Sequence, residues 1–154
     1  MGKTIDTLEV ERQLVLYSHK MGVYGVKEVS LRKNAYGKID ERVDYMTIDN
    51  TSVIRCYEIK VTKSDFLSGA HLSWWGDYNY LVVTDTLLPK IDKLPEYSKL
   101  AFSGVGIITL GLESNNVIVV RKPRKKQVSI SQRTAVIESM VKSASNQLHQ
   151  FYRK

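Results

Sequence analysis

Residues 52–62 constrain the fold most, because they are rich in Val, Ile and Tyr, the residue types that favour β-strands. Side chains alternate across a strand, so Tyr57 and Ile59 would lie on one apolar face. The other face would carry Glu58 and Lys60 beside apolar neighbours. Burying two charges costs free energy unless they are matched or bind an ion. The stretch is therefore either a buried strand with a functional charged pair or an edge strand with a solvated ion pair.

A second strand, predicted over residues 42–48, contains Asp44, although aspartate is depleted in strands. Residues 49–51 form a short turn between the two strands, which favours antiparallel pairing. That pairing can bring Asp44 close to Glu58. Two neighbouring carboxylates repel each other unless a cation lies between them, and oxygen ligands of this kind suit Mg²⁺ or Mn²⁺.

The rest of the chain alternates helical and extended patterns, which predicts a single α/β domain over residues 1–154 with a mixed sheet flanked by helices. Helices are predicted over residues 4–21 and 130–152, and a short helix is predicted after an N-cap at Ser64. Strands are predicted over residues 23–32, 42–48, 52–62, 80–83, 104–110 and 117–121. A turn is predicted over residues 34–38, and a loop-rich region is predicted around Pro89 and Pro95.

Apolar residues recur at helical spacing in both terminal helices. In the first helix they are Ile5, Leu8, Val15 and Leu16. In the last helix they form a stripe expected to pack on the core, made of Ile137, Met140, Val141, Ala144, Leu148, Phe151 and Tyr152. The single cysteine, Cys56, is expected to be a buried small hydrophobe.

The formal net charge is +7, and its excess lies at the end of the chain. Residues 1–120 carry 14 Lys and Arg against 15 Asp and Glu, whereas residues 121–154 carry 9 against 1. Nucleic acid is the commonest partner for such a concentration of positive charge, and a merely solvated surface is the alternative. The side chains expected to contact the DNA backbone lie in the loop 121–126 and just after it, and are Arg121, Lys122, Arg124, Lys125, Lys126 and Arg133.

The residues around the acidic pair resemble a known nuclease superfamily. Asp44, followed after a hairpin by Glu58-Ile59-Lys60, is similar to the Asp…(Asp/Glu)-x-Lys signature of the PD-(D/E)xK nucleases. Residues 11–16 resemble part of the opening helix of archaeal-type Holliday junction resolvases. Residues 42–83 resemble the MmcB-type putative DNA repair proteins still more closely. The matching positions there are Glu58, Ile59, Lys60, Lys63, Ser64, Asp65, Phe66, Trp74, Tyr78 and residues 81–83.

This resemblance implies a restriction-endonuclease-like core and Mg²⁺- or Mn²⁺-dependent hydrolysis of DNA phosphodiester bonds by an endonuclease, in repair, recombination or mobile-element maintenance. Asp44 and Glu58 are expected to bind the metal together with the carbonyl oxygen of Ile59. Glu11 would assist from the first helix, as a Glu does in the resolvases. Lys60 would orient the nucleophile or stabilise charge on the phosphate.

Several alternatives stay open. The chain could be a catalytically inactive nuclease-fold module that binds DNA or a protein partner, although the intact Asp44, Glu58 and Lys60 argue against lost catalysis. An RNA-processing nuclease is a further alternative. A soluble, cytoplasmic protein is expected, because the apolar runs are too short to span a bilayer, and the resemblance to resolvases allows a homodimer. The aromatic residues raised as candidates for base stacking are Tyr24, Tyr78, Tyr80, Trp74 and Trp75, with helix packing as the simpler interpretation of Trp74 and Tyr78.

Overall fold

A computed structural model describes residues 3–31, 41–68 and 74–153 of the chain. The turn expected at residues 34–38 lies outside these described residues. The elements, in chain order, are α1 (Ile5–Ser18), β1 (Val23–Leu31), β2 (Glu41–Asp49), β3 (Ile54–Lys60), α2 (Lys63–Ser68), β4 (Tyr78–Thr84), α3 (Leu88–Ile91), α4 (Pro95–Phe102), β5 (Gly106–Leu110), β6 (Val117–Arg121) and α5 (Ile130–Arg153).

The six strands form one mixed sheet in the order β1-β2-β3-β4-β5-β6. Strands β1 to β3 pair antiparallel, β3 to β5 are parallel neighbours, and β6 pairs antiparallel with β5. This confirms the predicted antiparallel meander and the central position of the strand that contains residues 80–83. The predicted α/β class, a mixed sheet flanked by helices, is confirmed as well.

The turn between β2 and β3 sets the register of the hairpin. Asp49 Oδ1 accepts hydrogen bonds from two backbone N–H groups of the turn, at 2.9 and 3.1 Å, as Asp commonly does in tight turns. Tyr45 consequently pairs with Tyr57. Continuing the same register by one residue places Asp44 opposite Glu58.

The two faces of the sheet carry different helices. On one face, Val136 and Met140 of α5 pack against β1, β2 and β3, and Cys56 is buried among them as predicted. On the opposite face, Val10 and Leu14 of α1 pack against β2 to β5. Consecutive side chains of β3 therefore reach two different helices, as expected for a strand in the interior of a sheet.

Helix α1 packs through side chains other than the apolar residues singled out from its sequence. Its buried residues are Val10, Glu11, Gln13, Leu14 and Ser18. The exposed apolar residues are Ile5, Leu8, Val15 and Leu16. The buried Gln13 amide donates a hydrogen bond to the carbonyl oxygen of Gly111 at 2.9 Å. This tertiary contact satisfies the amide nitrogen of Gln13, and no local periodicity predicts it.

Helix α5 begins where predicted, since Ser129 Oγ accepts a hydrogen bond from the N–H of Gln132 at 3.1 Å. The core stripe predicted along this helix is wrong for its second half. The buried residues of the helix are Val136, Met140 and Ser143. Four other residues of the predicted stripe are 61% to 77% exposed, namely Val141, Leu148, Phe151 and Tyr152. The buried cluster that α5 shares with the sheet contains Val136 and Met140. Nearer the end of the helix the contacts with β1 are polar, since Ser143 Oγ accepts a hydrogen bond from the Ser30 N–H and Gln147 donates one to the Lys27 carbonyl.

Two smaller expectations also need correction. The region around Pro89 and Pro95 forms the short helices α3 and α4, with each proline in a first turn, where a missing N–H costs nothing. Helix α2 is capped by Thr62, whose Oγ1 accepts a hydrogen bond from the N–H of Asp65 at 3.0 Å, and Ser64 lies inside the helix. Among the described residues, no helix combines the length and the apolar character needed to cross a bilayer.

Candidate active site

Glu58 lies on β3, the third of six strands, and only 4% of the residue is exposed. This burial excludes the alternative of an edge strand with a solvated ion pair. Its Oε1 has no hydrogen-bond partner within the described part of the chain. Burial, followed by the neighbouring charge of Asp44, raises the pKa of the Glu58 carboxyl group to about 9. The group is therefore protonated at neutral pH unless a cation binds beside it.

Asp44 lies opposite Glu58 on β2, and its charge is the largest cause of the raised Glu58 pKa after burial. Two neighbouring carboxylates repel each other, so the neutral form of Glu58 is favoured when no cation is bound. Asp44 Oδ2 also accepts a hydrogen bond from the N–H of Ile59 at 2.7 Å. The structure thus brings together the two carboxylates predicted to bind a metal, while a metal contact by the Ile59 carbonyl stays a prediction.

Lys60 lies two residues after Glu58 on β3, so both side chains leave the same face of the sheet. Lys60 is half-buried. Its positive charge lowers the pKa of Glu58 and so opposes the larger effects of burial and Asp44. An ammonium group beside an acidic pair can attract a phosphate oxygen. Lys60 therefore lies on the strand face where the sequence predicts it, and its contact with a phosphate stays a prediction.

Glu11 is buried in α1 and is neutralised by lysines of the same chain. Lys3 forms an ion pair with its Oε2, and Lys27 Nζ lies 3.9 Å from its Oε1. Lys3 Nζ also lies 3.1 Å from Glu28 Oε1. Glu11 therefore belongs to a second charged cluster with Lys3, Lys27 and Glu28, and its part in metal binding stays a prediction.

Glu28 is an acidic residue level with the candidate site that sequence reasoning missed. The register between β1 and β2 places it opposite Asp44, at a point where the regular pairing is interrupted. Its φ of 53° lies in the left-handed region, which is uncommon for a residue other than glycine. The hydrogen bond from Lys3 lowers the pKa of Glu28. Glu28, Asp44 and Glu58 thus lie at one level across three neighbouring strands.

The two tryptophans are packing residues, so they are not available for base stacking. Both Trp74 and Trp75 are 9% exposed. Trp74 packs in a cluster with Phe66 of α2, which confirms the simpler interpretation of this residue. Trp75 Nε1 donates a hydrogen bond to Glu41 Oε2 at 2.6 Å. The charge of Glu41 adds to the effects that raise the pKa of Glu58.

The donor groups at this site fit a divalent cation of the Mg²⁺ type. Such ions often bind only one or two protein carboxylates and complete their shell with water and substrate phosphates. Asp44 and Glu58 supply two carboxylates, and the unpartnered Oε1 of Glu58 is a buried ligand atom without another bond. Across residues 3–31, 41–68 and 74–153, no three His, Cys, Asp or Glu side chains lie close enough to hold an ion by themselves. An ion bound here would be held by two carboxylates of the chain.

Most of the predicted DNA-contacting side chains also bind acceptor atoms of the chain itself. Arg121 donates to the Val105 carbonyl, Arg124 to those of Ala101 and Phe102, Lys126 to that of Trp74, and Arg133 to the Asp77 carboxylate and the Ser52 carbonyl. Lys122 and Lys125 are exposed. The predicted contact of this segment with DNA is not tested by these bonds, but they show that four of its six cations also stabilise the fold.

The basic loop, residues 121–126, passes the end of the sheet at which the parallel strands β3 and β4 begin. The N–H of Lys126 donates to the carbonyl of Asp77 at 2.7 Å, directly before β4. Asp77 Oδ2 accepts a hydrogen bond from the N–H of Ile54, the first residue of β3. Lys60 is the last residue of that strand. The loop and Lys60 therefore lie toward opposite ends of β3.

Comparison with known proteins finds a solved structure of similar fold but no matching protein family. No protein family profile matches the chain, and neither does any curated protein. Among solved structures, the chain is similar to the SPO1766 protein of unknown function from Silicibacter pomeroyi, with a TM-score of 0.72 and 17% sequence identity over 98% of this chain and 94% of the other. At that level of identity the similarity shows a shared fold and carries no statement about activity.

Proposed function

We propose that the chain is a metal-dependent deoxyribonuclease with a restriction-endonuclease-like core and that Asp44, Glu58 and Lys60 form its active site. The observation that carries the proposal is the buried Glu58 carboxyl group, whose Oε1 has no hydrogen-bond partner among the described residues and which lies opposite the Asp44 carboxyl group. A buried acidic pair of this kind is costly unless it binds a proton or a cation. The cost of burying this pair would be offset by a proton on Glu58 in the free protein and by a divalent cation in the active protein.

Each residue has a separate task in this proposal. Asp44 and Glu58 hold the ion, and the hydrogen bond from the Ile59 N–H to Asp44 fixes the orientation of that carboxylate. Lys60 places its ammonium group where it can hold a phosphate oxygen or orient a water molecule. The bound ion would lower the pKa of a coordinated water and polarise the phosphate. Phosphodiester hydrolysis needs these contributions together.

The basic loop could contribute to the binding of a duplex. Arg121 pairs with Ile107 on β5, and the sheet register places Ile107 level with Leu81 and Glu58. Three strand spacings separate β3 from β6, which is about 14 Å. A duplex covers that distance in roughly four base-pair steps, given about 3.4 Å per step. The exposed Lys125 lies beyond Arg121, toward the start of β4, and would contact a phosphate farther along the duplex.

The test is cleavage of labelled DNA by the wild type and by variants that preserve side-chain size. Single-stranded, duplex, flap and four-way-junction substrates are incubated with Mg²⁺, with Mn²⁺ or with EDTA. Glu58→Gln, Asp44→Asn and Lys60→Met should each reduce cleavage roughly 100-fold or more. Glu113→Gln and Lys90→Met replace exposed residues elsewhere and should cut like the wild type. Cleavage by Glu58→Gln at the wild-type rate would show that the site is assigned wrongly.

A second candidate is a nuclease-fold module that binds DNA without cutting it. The observation that favours it is the ion pair between Lys3 and Glu11, which occupies the third carboxylate expected at the site. The same substrate panel separates the two candidates. Tight DNA binding with no cleavage of any substrate in either metal would support the module.

A further inference from the structure

A trough runs along the face of the sheet opposite to Glu58. Helix α1 covers one half of this face, where Ile59, Val82 and Leu110 are packed. The other half stays open as two adjoining cavities of about 280 and about 300 Å³. They share Arg55, Tyr80 and Val119, so they form one continuous trough.

Aromatic rings and cations alternate along the trough. At one end, Lys20 Nζ lies 5.5 Å from the centre of the Tyr17 ring. In the middle, the Tyr57 and Tyr80 rings stack with their centres 5.0 Å apart and their planes within 9°. Beyond them, the Arg55 guanidinium lies over the Tyr78 ring at 5.3 Å. The last cation along this line is Lys122.

The charge of the trough favours an anionic ligand. Its one acidic lining residue, Asp49, is occupied by two N–H groups of the hairpin turn, the Thr51 hydroxyl and Arg55, whose Nη1 lies 3.2 Å from Oδ2. These bonds lower the pKa of Asp49 to about 2, with the Thr51 hydroxyl the largest cause. Two exposed lysines, Lys20 and Lys122, then leave the trough with a surplus of positive charge.

We propose that this trough binds single-stranded nucleic acid. Tyr57 is buried, whereas the half-buried rings of Tyr78 and Tyr80, with the cations beside them, suit a strand whose unpaired bases contact aromatic side chains while its phosphates pass the cations. A duplex keeps its bases stacked and paired, so it cannot use the rings. The trough is open and extended, which fits several linked nucleotides better than one. The inference does not depend on the proposed nuclease activity, because Tyr57 and Glu58 are consecutive residues that face opposite sides of β3.

The experiment measures fluorescence anisotropy of a fluorescein-labelled oligothymidylate of ten nucleotides in EDTA, with the full chain, over a range of salt concentrations. Tyr78→Leu removes one ring and should weaken binding about 5-fold or more without changing the salt dependence. Arg55→Gln and Lys122→Gln each remove one cation. Each should lower the slope of log affinity against log salt concentration by about 0.7. Ring loss and charge loss thus give different signatures.

Three controls make the result decisive. Phe102→Leu and Lys90→Gln remove an exposed ring and an exposed cation outside the trough, so both should bind like the wild type. Glu113→Gln removes an exposed acid outside the trough and should also bind normally. Thermal melting confirms that each variant is folded.

Three outcomes would overturn the inference. One is wild-type affinity and salt slope in all three trough variants. The second is equal competition by a duplex of the same length. The third is equal competition by free thymidine monophosphate at the same nucleotide concentration, which would indicate a pocket for single nucleotides rather than a strand-binding surface.

Discussion

Replacing Glu58 by Gln should stabilise the metal-free protein at neutral pH, because it removes a buried acid with a strongly raised pKa. That pKa is about 9 in the folded chain, against an ordinary value of 4.5. A raised folded-state pKa gives a stabilisation that is complete below the unfolded value and is lost as the pH rises through the folded value. Each pKa unit corresponds to about 1.4 kcal/mol, so the wild type has lost roughly 3 kcal/mol at pH 7. Glutamine has a similar shape and stays neutral, so the variant avoids this loss.

Urea unfolding in EDTA at pH 5, 7 and 8.5 measures the effect. The stability difference between Glu58→Gln and wild type should grow from below about 1 kcal/mol at pH 5 to roughly 3 kcal/mol at pH 7, and further at pH 8.5. Glu113→Gln, which replaces an exposed acid, should follow the wild-type pH dependence. A difference that stays constant with pH, or a variant that is less stable throughout, would refute the argument that burial of this acid destabilises the fold.

Four further outcomes test other parts of the structure. Mn²⁺ should raise the wild-type melting temperature more at pH 8 than at pH 6, because binding must displace the Glu58 proton. If Mn²⁺ raised the melting temperature of Glu58→Gln as much as that of the wild type, the ion would bind elsewhere. Asp77→Ala should cost about 2 kcal/mol in urea unfolding, because it removes the buried acceptor of the Ile54 N–H and of the partly exposed Arg133; a loss below about 0.5 kcal/mol would contradict this. Lys125→Gln should lower the salt slope of duplex binding by about 0.9, and an unchanged slope would remove this residue from the contact surface. Gly76→Ala should destabilise the fold by about 1–3 kcal/mol, because a Cβ atom there would lie 2.9 Å from two backbone carbonyl oxygens; wild-type stability in urea would show that the backbone adjusts freely.

The strands could be predicted from the sequence because each depends on residues close together in the chain. Alternating apolar residues and short turns predict β2, β3 and their antiparallel pairing, and the structure confirms them. The packing faces of the helices could not be predicted in the same way. Gln13 is buried because a carbonyl 98 positions away accepts its hydrogen bond, whereas Ile5 and Leu16 are exposed. The sequence of one helix shows which of its residues are apolar. It does not show which residues from the rest of the chain pack against them.

The same distinction explains which part of the candidate site was predictable. Asp44 and Glu58 belong to one hairpin, so a tight turn sets their register and the sequence alone places them together. Glu28 reaches the same level through β1, whose register with β2 the turn predicted over residues 34–38 does not specify. Its left-handed backbone costs about 1 kcal/mol and persists only where surrounding contacts impose it. The ion pair with Lys3 is such a contact. Lys3 also forms an ion pair with Glu11, so this one lysine links α1 to β1, a contact that no single segment of the sequence reveals.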